Sequence, residues 1–364
     1  MNRIRVNLDR RLSASYDIHI GRNILDRVAL ILAKGNWAGR WFVVTDETVA
    51  GLHGGRVLEA LAGAGLAAEC LTIPPGEEAK TVATCLGLAE RLLEKGADRA
   101  SGLIALGGGV VGDVAGFLAS IYMRGIACVQ VPTTLLAQVD SSIGGKTGVD
   151  TGAGKNLLGT FHQPRAVFID LGFLETLPPR EFTSGLAEIV KYGIIEDPEL
   201  LAALEGNAAA LQGRDPAVLE RVVSSSCRIK KGIVEIDETE KGLRRILNFG
   251  HTVGHAVEAE SGWAVSHGEA VAIGMAAAAG ISERLRYLAA EDRQRIEGAL
   301  DRLGLPRRIP RDLDAGRILA RMEKDKKKVN GRIHFVLLKK PGMPFVNGGV
   351  PLEVARETLE AMRP

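Results

Sequence analysis

Residues 101–123 read SGLIALGGGVVGDVAGFLASIYM, an apolar run that ends in glycines and continues into a helical pattern. The run at 101–107 is typical of a buried parallel strand. The segment GGGVVG at 107–112 has the form G-x-G-x-x-G, in which glycines let a pyrophosphate approach the backbone at a helix start. This context favours dinucleotide binding, while a plain tight turn is the alternative. The acid expected about 20 residues later is missing, so Asp46 or Asp113 is the candidate for the ribose contact.

The segments around this loop alternate between strand and helix patterns. Apolar runs at 41–46 (WFVVTD), 125–132 (GIACVQVP) and 166–170 (AVFID) predict further strands. Residues 81–95 have apolar side chains at helical spacing between two of these runs. Such alternation predicts a parallel sheet flanked by helices.

The pattern changes at Leu177-Pro178-Pro179, because the residue before a proline is disfavoured in a helix. Long segments rich in Ala, Leu, Glu and Arg follow, until the β-like run IHFVLL at 333–338. We therefore expect an α/β nucleotide-binding domain with a parallel sheet over residues 1–177. A mainly α-helical domain is expected over residues 178–364.

The composition excludes several classes of protein. The 364 residues include 46 Lys and Arg against 44 Asp and Glu, a formal net charge of +2 that argues against nucleic-acid binding. The four cysteines form no C-x-x-C pair, which argues against a disulfide framework or a zinc knuckle. The charged N-terminus is not a secretory signal, and the apolar stretches are shorter than the ~20 residues of a membrane helix. We expect a cytoplasmic protein.

Three of the seven histidines lie close together in the second half of the chain, at His251, His255 and His267. His251 and His255 are four residues apart, which puts them on one face of a helix. Three imidazoles with Glu258 and Glu269 nearby favour a catalytic zinc-type site, which usually has three protein ligands. The competing interpretation is two core histidines and a third that caps a helix.

A carboxylate that can complete this site lies in a second helical pattern. Glu188, Lys191 and Tyr192 are predicted to share one face of a helix capped by Thr183 or Ser184. The flanking residues are apolar nearly all round, which indicates burial. A buried acid needs a partner, and a divalent cation is a good one. The alternative is an ordinary solvated Glu–Lys pair.

A second glycine-rich segment, DSSIGGKTGVDTGAGKN at 140–156, resembles a Walker A loop only superficially. Asp140 stands where that motif needs a glycine, so ATP-type binding is excluded on spacing. What remains is a cradle for a small phosphorylated substrate, formed by Lys146, Lys155 and Asn156. A flexible solvated loop is the alternative.

Other cations are candidate anion clamps, although most charge runs are solvated surfaces. They are Arg124, Lys230, Lys231, Arg244, Arg245 and the lysines of KDKKK at 324–328. The Arg-rich stretch at 302–311 has no role that the sequence assigns.

Taken together, these motifs resemble those of the 3-dehydroquinate synthase family of sugar-phosphate cyclases. Seven occur in order over about residues 100–275, namely GGGVVGDVAGF, YMRG, VPTTLLAQVDSSIGGKTGVD, GKNLLGTFHQP, SGLAEIVKYG, LNFGHTVGHAVE and SHGEAVAIGM. PPGEEAK at 74–80 and MEKDKK at 322–327 extend the match to most of the chain. The set is specific, although no single motif is.

The resemblance implies a set of metal, substrate and cofactor contacts. The metal, zinc or cobalt, would be bound by Glu188, His251 and His267, whereas His255 would face the substrate. The other substrate contacts would be Arg124 reaching from a partner subunit, Asp140, Lys146, Lys155, Asn156, Lys191, Lys230, Arg244, Asn248 and either Lys326 or Lys327. The NAD contacts would be Asp46, Glu77, Lys80, Gly108, Gly109, Val110, Asp113, Thr133, Thr134, Phe173, Thr176 and Glu181, with Lys146 and Lys155 also counted among them.

The resemblance also implies the reaction. Members convert 3-deoxy-D-arabino-heptulosonate 7-phosphate to 3-dehydroquinate and phosphate in the shikimate pathway, with transient oxidation by NAD, and a homodimer is expected. The main alternative is a metal- and NAD-dependent polyol or glycerol-phosphate dehydrogenase of the same fold. A dehydrogenase releases no phosphate, so it does not need lysines that bind a leaving phosphate. A binding or regulatory protein without turnover is a third possibility, disfavoured by the intact Glu188, His251, His267 and Lys191.

Overall fold

The computed structural model describes residues 1–6, 15–152, 154–326 and 332–363, except for the side chains of residues 325 and 326. The chain divides into two compact units. The first comprises Met1–Pro178 and Lys230–Thr239, and the second comprises Pro179–Ile229 and Glu240–Pro364. The boundary at Pro178 adjoins the double proline, whereas the return of Lys230–Thr239 to the first unit has no signal in the sequence.

The described residues of the first unit form nine strands. They are β1 (Asn2–Val6), β2 (Tyr16–Gly21), β3 (Arg40–Asp46), β4 (Ala68–Ile73), β5 (Ser101–Gly107), β6 (Ala127–Pro132), β7 (Lys146–Thr151), β8 (Gly154–Phe161) and β9 (Ala166–Asp170). Seven form one sheet in the order β1-β2-β9-β6-β5-β3-β4, in which only the β1–β2 pair is antiparallel. The predicted parallel sheet is confirmed.

Helices cover both faces of this sheet. They are α1 (Leu25–Gly35), α2 (Glu47–Val49), α3 (Gly55–Gly63), α4 (Val82–Glu94) and α5 (Gly109–Ile121). Trp41 and Val43 of β3 pack with α1 and α3, whereas Phe42 and Val44 pack with α4 and α5. Because successive strand residues point to opposite faces, a strand buried on both sides needs apolar residues on both, as at Trp41–Val44 of β3 and Leu103–Leu106 of β5.

Short 3₁₀ or π segments occur in the connections after strands or helices of the first unit. They are Ala50–Gly54, Glu77–Ala79, Tyr122–Arg124, Ala137–Ser141 and Leu171–Thr176.

The second unit is mainly helical, as predicted. Its helices are α6 (Pro179–Ile195), α7 (Pro198–Gly206), α8 (Ala208–Gln212), α9 (Pro216–Ile236, whose last turns belong to the first unit), α10 (His251–Glu260), α11 (His267–Arg284), α12 (Ala290–Arg302), α13 (Ala315–Lys326) and α14 (Leu352–Ala361). A 3₁₀ turn at Leu243–Asn248 precedes α10, and β10 (Phe335–Leu338) pairs antiparallel with β11 (Pro344–Asn347). Side chains of α10, α11, α13, α14 and β10 share one apolar core.

The glycine-rich segment that follows Asp140 forms an antiparallel hairpin of β7 and β8 rather than a loop. The hairpin packs on α5 at Gly116, where a Cβ atom would lie 2.4 Å from Cγ2 of Thr147. Thr147 is itself held by its hydroxyl contacts with Thr160. Glycine at position 116 therefore lets the hairpin lie directly against the helix.

In the part of the chain that the structure describes, none of the helices has the length and apolar character needed to cross a membrane.

The contact at Gly116 predicts that alanine destabilises the protein at position 116 but not at Gly87, a second helical glycine. Gly116→Ala forces Thr147 out of its hydrogen bonds and should lower the free energy of unfolding by about 1–3 kcal/mol. Gly87→Ala is the matched control, because position 87 of α4 has open space around it and alanine favours a helix by about 1 kcal/mol. Urea unfolding followed by circular dichroism measures both. A Gly116→Ala protein as stable as Gly87→Ala would contradict the packing described.

Candidate metal and nucleotide sites

Three helices of the second unit bring one carboxylate and two imidazoles together. Glu188 lies in the middle of α6 and is completely buried, His251 begins α10 and His267 begins α11. Nε2 of His251 and Nε2 of His267 each lie 3.6 Å from Oε1 of Glu188. All three offer a ligand atom within 4.8 Å of the others. Such a donor set, with three protein ligands, fits a divalent cation of the zinc type.

The predicted cap of α6 at Thr183 or Ser184 is wrong, because the helix already begins at Pro179. Proline suits the first turn of a helix, since its missing N–H needs no partner there and its φ is already helical. Ser184 has a different role: its Oγ accepts a hydrogen bond of 3.0 Å from the backbone N–H of Gly268. A Cβ atom at Gly268 would lie 2.1 Å from the Ser184 carbonyl oxygen, so the backbones of α6 and α11 are in direct contact.

The start of α11 is stabilised by a capping box. Oγ of Ser266 accepts from the backbone N–H of Glu269, and the Glu269 carboxylate accepts from the backbone N–H of Ser266. Arg180 of α6 donates to both Glu269 oxygens. Glu269, predicted near the metal site, thus acts on the helix end that carries His267.

Each imidazole of the cluster is oriented through its other nitrogen. Nδ1 of His251 lies 3.2 Å from the Phe249 carbonyl oxygen, and Nδ1 of His267 lies 3.3 Å from Oε2 of Glu258. A proton on each Nδ1 serves these contacts, so Nε2 is the ring nitrogen that a metal ion beside Glu188 can use.

The electrostatics of the two histidines differ. Burial, reinforced by the nearby Lys191 ammonium, lowers the pKa of His251 well below its ordinary value, so this imidazole is neutral. Burial also acts to lower the pKa of His267, but hydrogen bonds to Glu188 and Glu258 outweigh it and raise this pKa to about 10. The two carboxylates thus favour a positive charge at this point, which a proton or a metal ion can supply.

Lys191 and His255 flank the cluster. The Lys191 ammonium is in contact with Oε2 of Glu188, although the lysine is only 1% exposed. The rings of His251 and His255 are 5.2 Å apart in an edge-on arrangement, and His255 is exposed. The i, i+4 spacing did place both histidines on one side of α10, but Glu188 and His267 come from other helices.

The remaining candidates of the second unit lie on different elements. Arg244 is buried in the 3₁₀ turn before α10, and Asn248 at the end of that turn donates 2.7 Å to Oε1 of Glu240. Glu181 is exposed in the first turn of α6.

In the first unit, the predicted nucleotide contacts follow the carboxyl ends of parallel strands. Asp46 ends β3, Glu77 and Lys80 follow β4, Gly108, Gly109 and Val110 follow β5, Thr133 and Thr134 follow β6, and Phe173 and Thr176 follow β9. These ends lie along one edge of the sheet. The strand order reverses direction between β3 and β5, which is where an open α/β sheet binds its ligand. The glycine loop lies at this reversal.

The glycine loop leads directly into α5, with Gly108 as the N-cap residue and no side chain to cap the first N–H groups. A helix start of this kind fits a pyrophosphate. Asp113 in the first turns of α5 forms an ion pair of 2.6 Å with the buried Lys80. Although burial opposes it, the Asp113 carboxylate raises the pKa of Lys80 above its ordinary value. The first unit therefore fits a dinucleotide, with one buried cation beside the loop.

The β7–β8 hairpin does not bring Lys146 and Lys155 to one point. Lys146 pairs with Phe161 at one end, whereas Lys155 adjoins the Thr151–Gly154 pair at the other. The two lysines are roughly 13 Å apart along the ladder at the usual strand rise. Nζ of Lys155 instead lies 3.4 Å from Oε1 of Glu77.

The other predicted substrate contacts of the first unit lie elsewhere in it. Nζ of Lys230 donates to the backbone oxygen of Asp140 at 2.6 Å and to its Oδ1 at 2.5 Å. Arg124 is exposed beyond α5, and both it and Met123 adopt left-handed backbone conformations, with φ of 72° and 48°. Asn156 also has a left-handed φ of 55°, in β8.

Two groups of the sequence prediction remain to be placed. Lys327 lies outside the described residues, and so does the side chain of Lys326, the other candidate phosphate contact. In the Arg-rich stretch, Arg307 pairs with Asp301 at 2.9 Å and Glu297 at 3.0 Å, as in a solvated ion-pair network.

The sequence prediction gave Ser184 only the role of a cap, assigned no role to Glu240 and mentioned Glu258 only as a neighbour of the histidines. The contact of Ser184 with α11 was not predicted because Ser184 was assumed to cap α6. The only signal for Glu258 was its position three residues after His255, on the same helix face.

Comparison with known proteins identifies the family of the chain. The profile described as 3-dehydroquinate synthase N-terminal matches residues 70–184, and the one described as 3-dehydroquinate synthase C-terminal matches residues 185–328. The chain belongs to the 3-dehydroquinate synthase family. A 3-dehydroquinate synthase of Symbiobacterium thermophilum is 47% identical over 351 residues, which cover 96% of this chain and 98% of that protein.

Solved structures of related cyclases share the architecture. A 2-deoxy-scyllo-inosose synthase complexed with carbaglucose-6-phosphate, NAD⁺ and Co²⁺ has a TM-score of 0.91 at 29% identity, covering 99% of this chain and 100% of that one. A 2-epi-5-epi-valiolone synthase of Streptomyces hygroscopicus with NAD⁺ and Zn²⁺ bound has a TM-score of 0.88 at 30% identity, covering 95% and 96%. An iron-containing alcohol dehydrogenase, at a TM-score of 0.68 and 17% identity with 95% and 97% covered, shares the fold alone.

Proposed function

We propose that this chain converts 3-deoxy-D-arabino-heptulosonate 7-phosphate to 3-dehydroquinate and phosphate, as an NAD- and divalent-metal-dependent carbon–oxygen lyase. The observation that carries the proposal is the convergence of Glu188, His251 and His267 on one point beside the buried Lys191. Full-length similarity to proteins named 3-dehydroquinate synthase supports the same reaction.

The metal ligands in this proposal are Glu188, His251 and His267. When bound, a zinc or cobalt ion supplies Lewis acidity that makes a substrate hydroxyl easier to ionise. The contacts of Nδ1 with Phe249 and Glu258 keep Nε2 of the two histidines available as ligand atoms.

The cofactor in this proposal is NAD, held at the sheet edge of the first unit. When bound, NAD accepts a hydride from the substrate and returns it later in the same turnover. The start of α5 holds the pyrophosphate, and Asp46 at the end of β3 is the candidate for a ribose contact. Lys80 and Lys155 contribute positive charge on the same side as the glycine loop.

The substrate carries a carboxylate and a phosphate, so we assign its recognition to the following cations and hydrogen-bonding side chains. Lys146, Lys191, Lys230 and Arg244 supply positive charge, with Asp140 orienting Lys230 through the 2.5 Å contact. Asn156, Asn248 and His255 provide groups that can donate hydrogen bonds to hydroxyls or to the phosphate. These cations stabilise the phosphate as it leaves, and the phosphate itself accepts the proton lost from the neighbouring carbon.

We also propose a homodimer in the cytoplasm. Leu157 and Phe161 lie on the same face of β8 and are 50% and 46% exposed, so this face of the hairpin offers apolar surface to a partner. Arg124 is exposed and held in a left-handed backbone conformation, and we assign it to the substrate site of a second copy. The four free cysteines agree with a reducing compartment.

The reaction predicts phosphate release without net reduction of NAD. Incubation of the chain with the heptulosonate phosphate, NAD and zinc should release one phosphate per substrate, while absorbance at the NADH wavelength stays at its starting level. Both products are followed in the same sample. Accumulating NADH without phosphate would assign the chain to the polyol or glycerol-phosphate dehydrogenases. Binding without either product would make it a non-catalytic relative.

The metal site predicts different zinc contents for two neighbouring histidine variants. His251→Ala removes a ligand and should leave less than about a tenth of the wild-type zinc after gel filtration, because the remaining two ligands hold zinc weakly. His255→Ala, on the same helix, should retain the wild-type content. Elemental analysis of the purified proteins measures both. Equal zinc content in His251→Ala and wild type would exclude this ligand set. A lower zinc content in His255→Ala would instead support His251 and His255 as the ligand pair, as their spacing alone predicts.

The homodimer predicts that a charge on the outer face of β8 separates the subunits. Leu157→Lys should shift the mass measured by light scattering from two chains to one, because it places a charge in a buried apolar contact. Leu86→Lys is the control, since Leu86 is an equally exposed leucine (58%) on α4. A wild-type chain that runs as a monomer at all concentrations would contradict the proposal.

A further inference from the structure

Glu258 is a buried acid beside the metal cluster, described so far only through its contact with His267. It lies on α10, one turn after His255, and is only 5% exposed. Its Oε2 lies 3.3 Å from Nδ1 of His267, across from α11. A carboxylate at such a position is costly to bury unless it serves a neighbouring group.

We propose that Glu258 is a positioning residue that fixes the tautomer and ring orientation of His267, so that Nε2 is presented as a metal ligand. The inference rests on the metal centre proposed above. A neutral imidazole carries its proton on one nitrogen only, and a carboxylate acceptor at Nδ1 draws the proton there. The lone pair of Nε2 then points toward Glu188, whose Oε1 is 3.6 Å away.

The two histidines of the cluster support this role because they are oriented in the same way by different groups. His251 uses Nδ1 toward the Phe249 carbonyl oxygen, and His267 uses Nδ1 toward Glu258. In both rings Nε2 is left at 3.6 Å from the same oxygen of Glu188. Two independent contacts thus leave the same nitrogen of each ring for the ion.

The structure contains a second group of possible metal ligands that shares His267 with the first. His255, Glu258 and His267 also offer ligand atoms within 4.8 Å of one another. An ion bound through Nδ1 of His267 would displace the hydrogen bond between this atom and Glu258. That hydrogen bond therefore favours the set that contains Glu188, which can use Nε2 of His267.

The acceptor at His267 differs from that at His251 in carrying a full negative charge. A carboxylate behind a metal-binding imidazole makes the imidazole a stronger ligand, and loss of such a partner typically weakens metal binding 10–100-fold. Glu258→Gln keeps the size of the side chain but removes the charge, and its amide can also donate to Nδ1. The substitution therefore acts on the ligand rather than on packing.

The experiment compares Glu258→Gln with a matched control. Glu260→Gln makes the same change on the same helix, where Glu260 pairs with Arg321 and no histidine is involved. Zinc affinity is measured by competition with a chromophoric chelator, the visible spectrum of the Co²⁺ form reports the ligand set, and thermal unfolding of the metal-free chains reports the fold. We expect zinc binding of Glu258→Gln to weaken by about 10–100-fold with a changed Co²⁺ spectrum. Glu260→Gln should keep both properties of the wild type.

Several outcomes decide the inference. Wild-type zinc affinity and an unchanged Co²⁺ spectrum in Glu258→Gln would overturn it. If Glu258→Gln unfolds, Glu258→Asp takes its place, since it keeps the charge at a greater distance: an intermediate zinc affinity supports the inference, and a wild-type affinity overturns it. A wild-type chain that binds no zinc would instead refute the metal centre itself, which is a distinct result.

Discussion

The second unit depends on a completely buried carboxylate in the middle of an apolar helix. Glu188 has no contact with solvent, so its charge has to be balanced by neighbouring groups. Lys191 one turn later on α6 and His267 at the start of α11 supply positive charge, and the neutral His251 at the start of α10 completes the surroundings. The chemistry proposed for the chain takes place where these helices meet.

The first unit binds its proposed ligand at a sheet edge and not between helices. Its sheet is buried on both faces, and the strand order reverses between β3 and β5, which leaves an edge open for a ligand. The glycine loop occupies that edge, and Lys80 with Asp113 places a charged pair beside it. A metal centre on helices and a nucleotide-binding edge on a sheet fit the proposed reaction, in which the substrate is first oxidised by NAD and NAD is then regenerated.

Much of this was predictable from the residues, and the exceptions have physical causes. Strands β3, β5 and β9 were predicted within a residue because continuous apolar runs bounded by Gly, Asp or Pro leave few alternatives. The β7–β8 hairpin was not, since its glycines have low strand propensity and its register is set by contact with α5. The cap of α6 was misplaced because proline can start a helix where serine also can. Residue spacing put His251 and His255 on one face, but it carries no information about which other helices face them. The grouping of Glu188 with His267 came from the family resemblance, and Glu258 followed only from the coordinates.

The direct contact of main chains at Gly268 and Ser184 has a consequence for redesign. Because the separation of α6 and α11 is defined by backbone atoms, it does not depend on the size of the side chains that project beyond the contact. The donor atoms at positions 188 and 267 can therefore be exchanged for other types while the scaffold keeps its spacing. An engineer who wishes to alter which transition metal the chain prefers should vary those two positions and leave the glycine untouched.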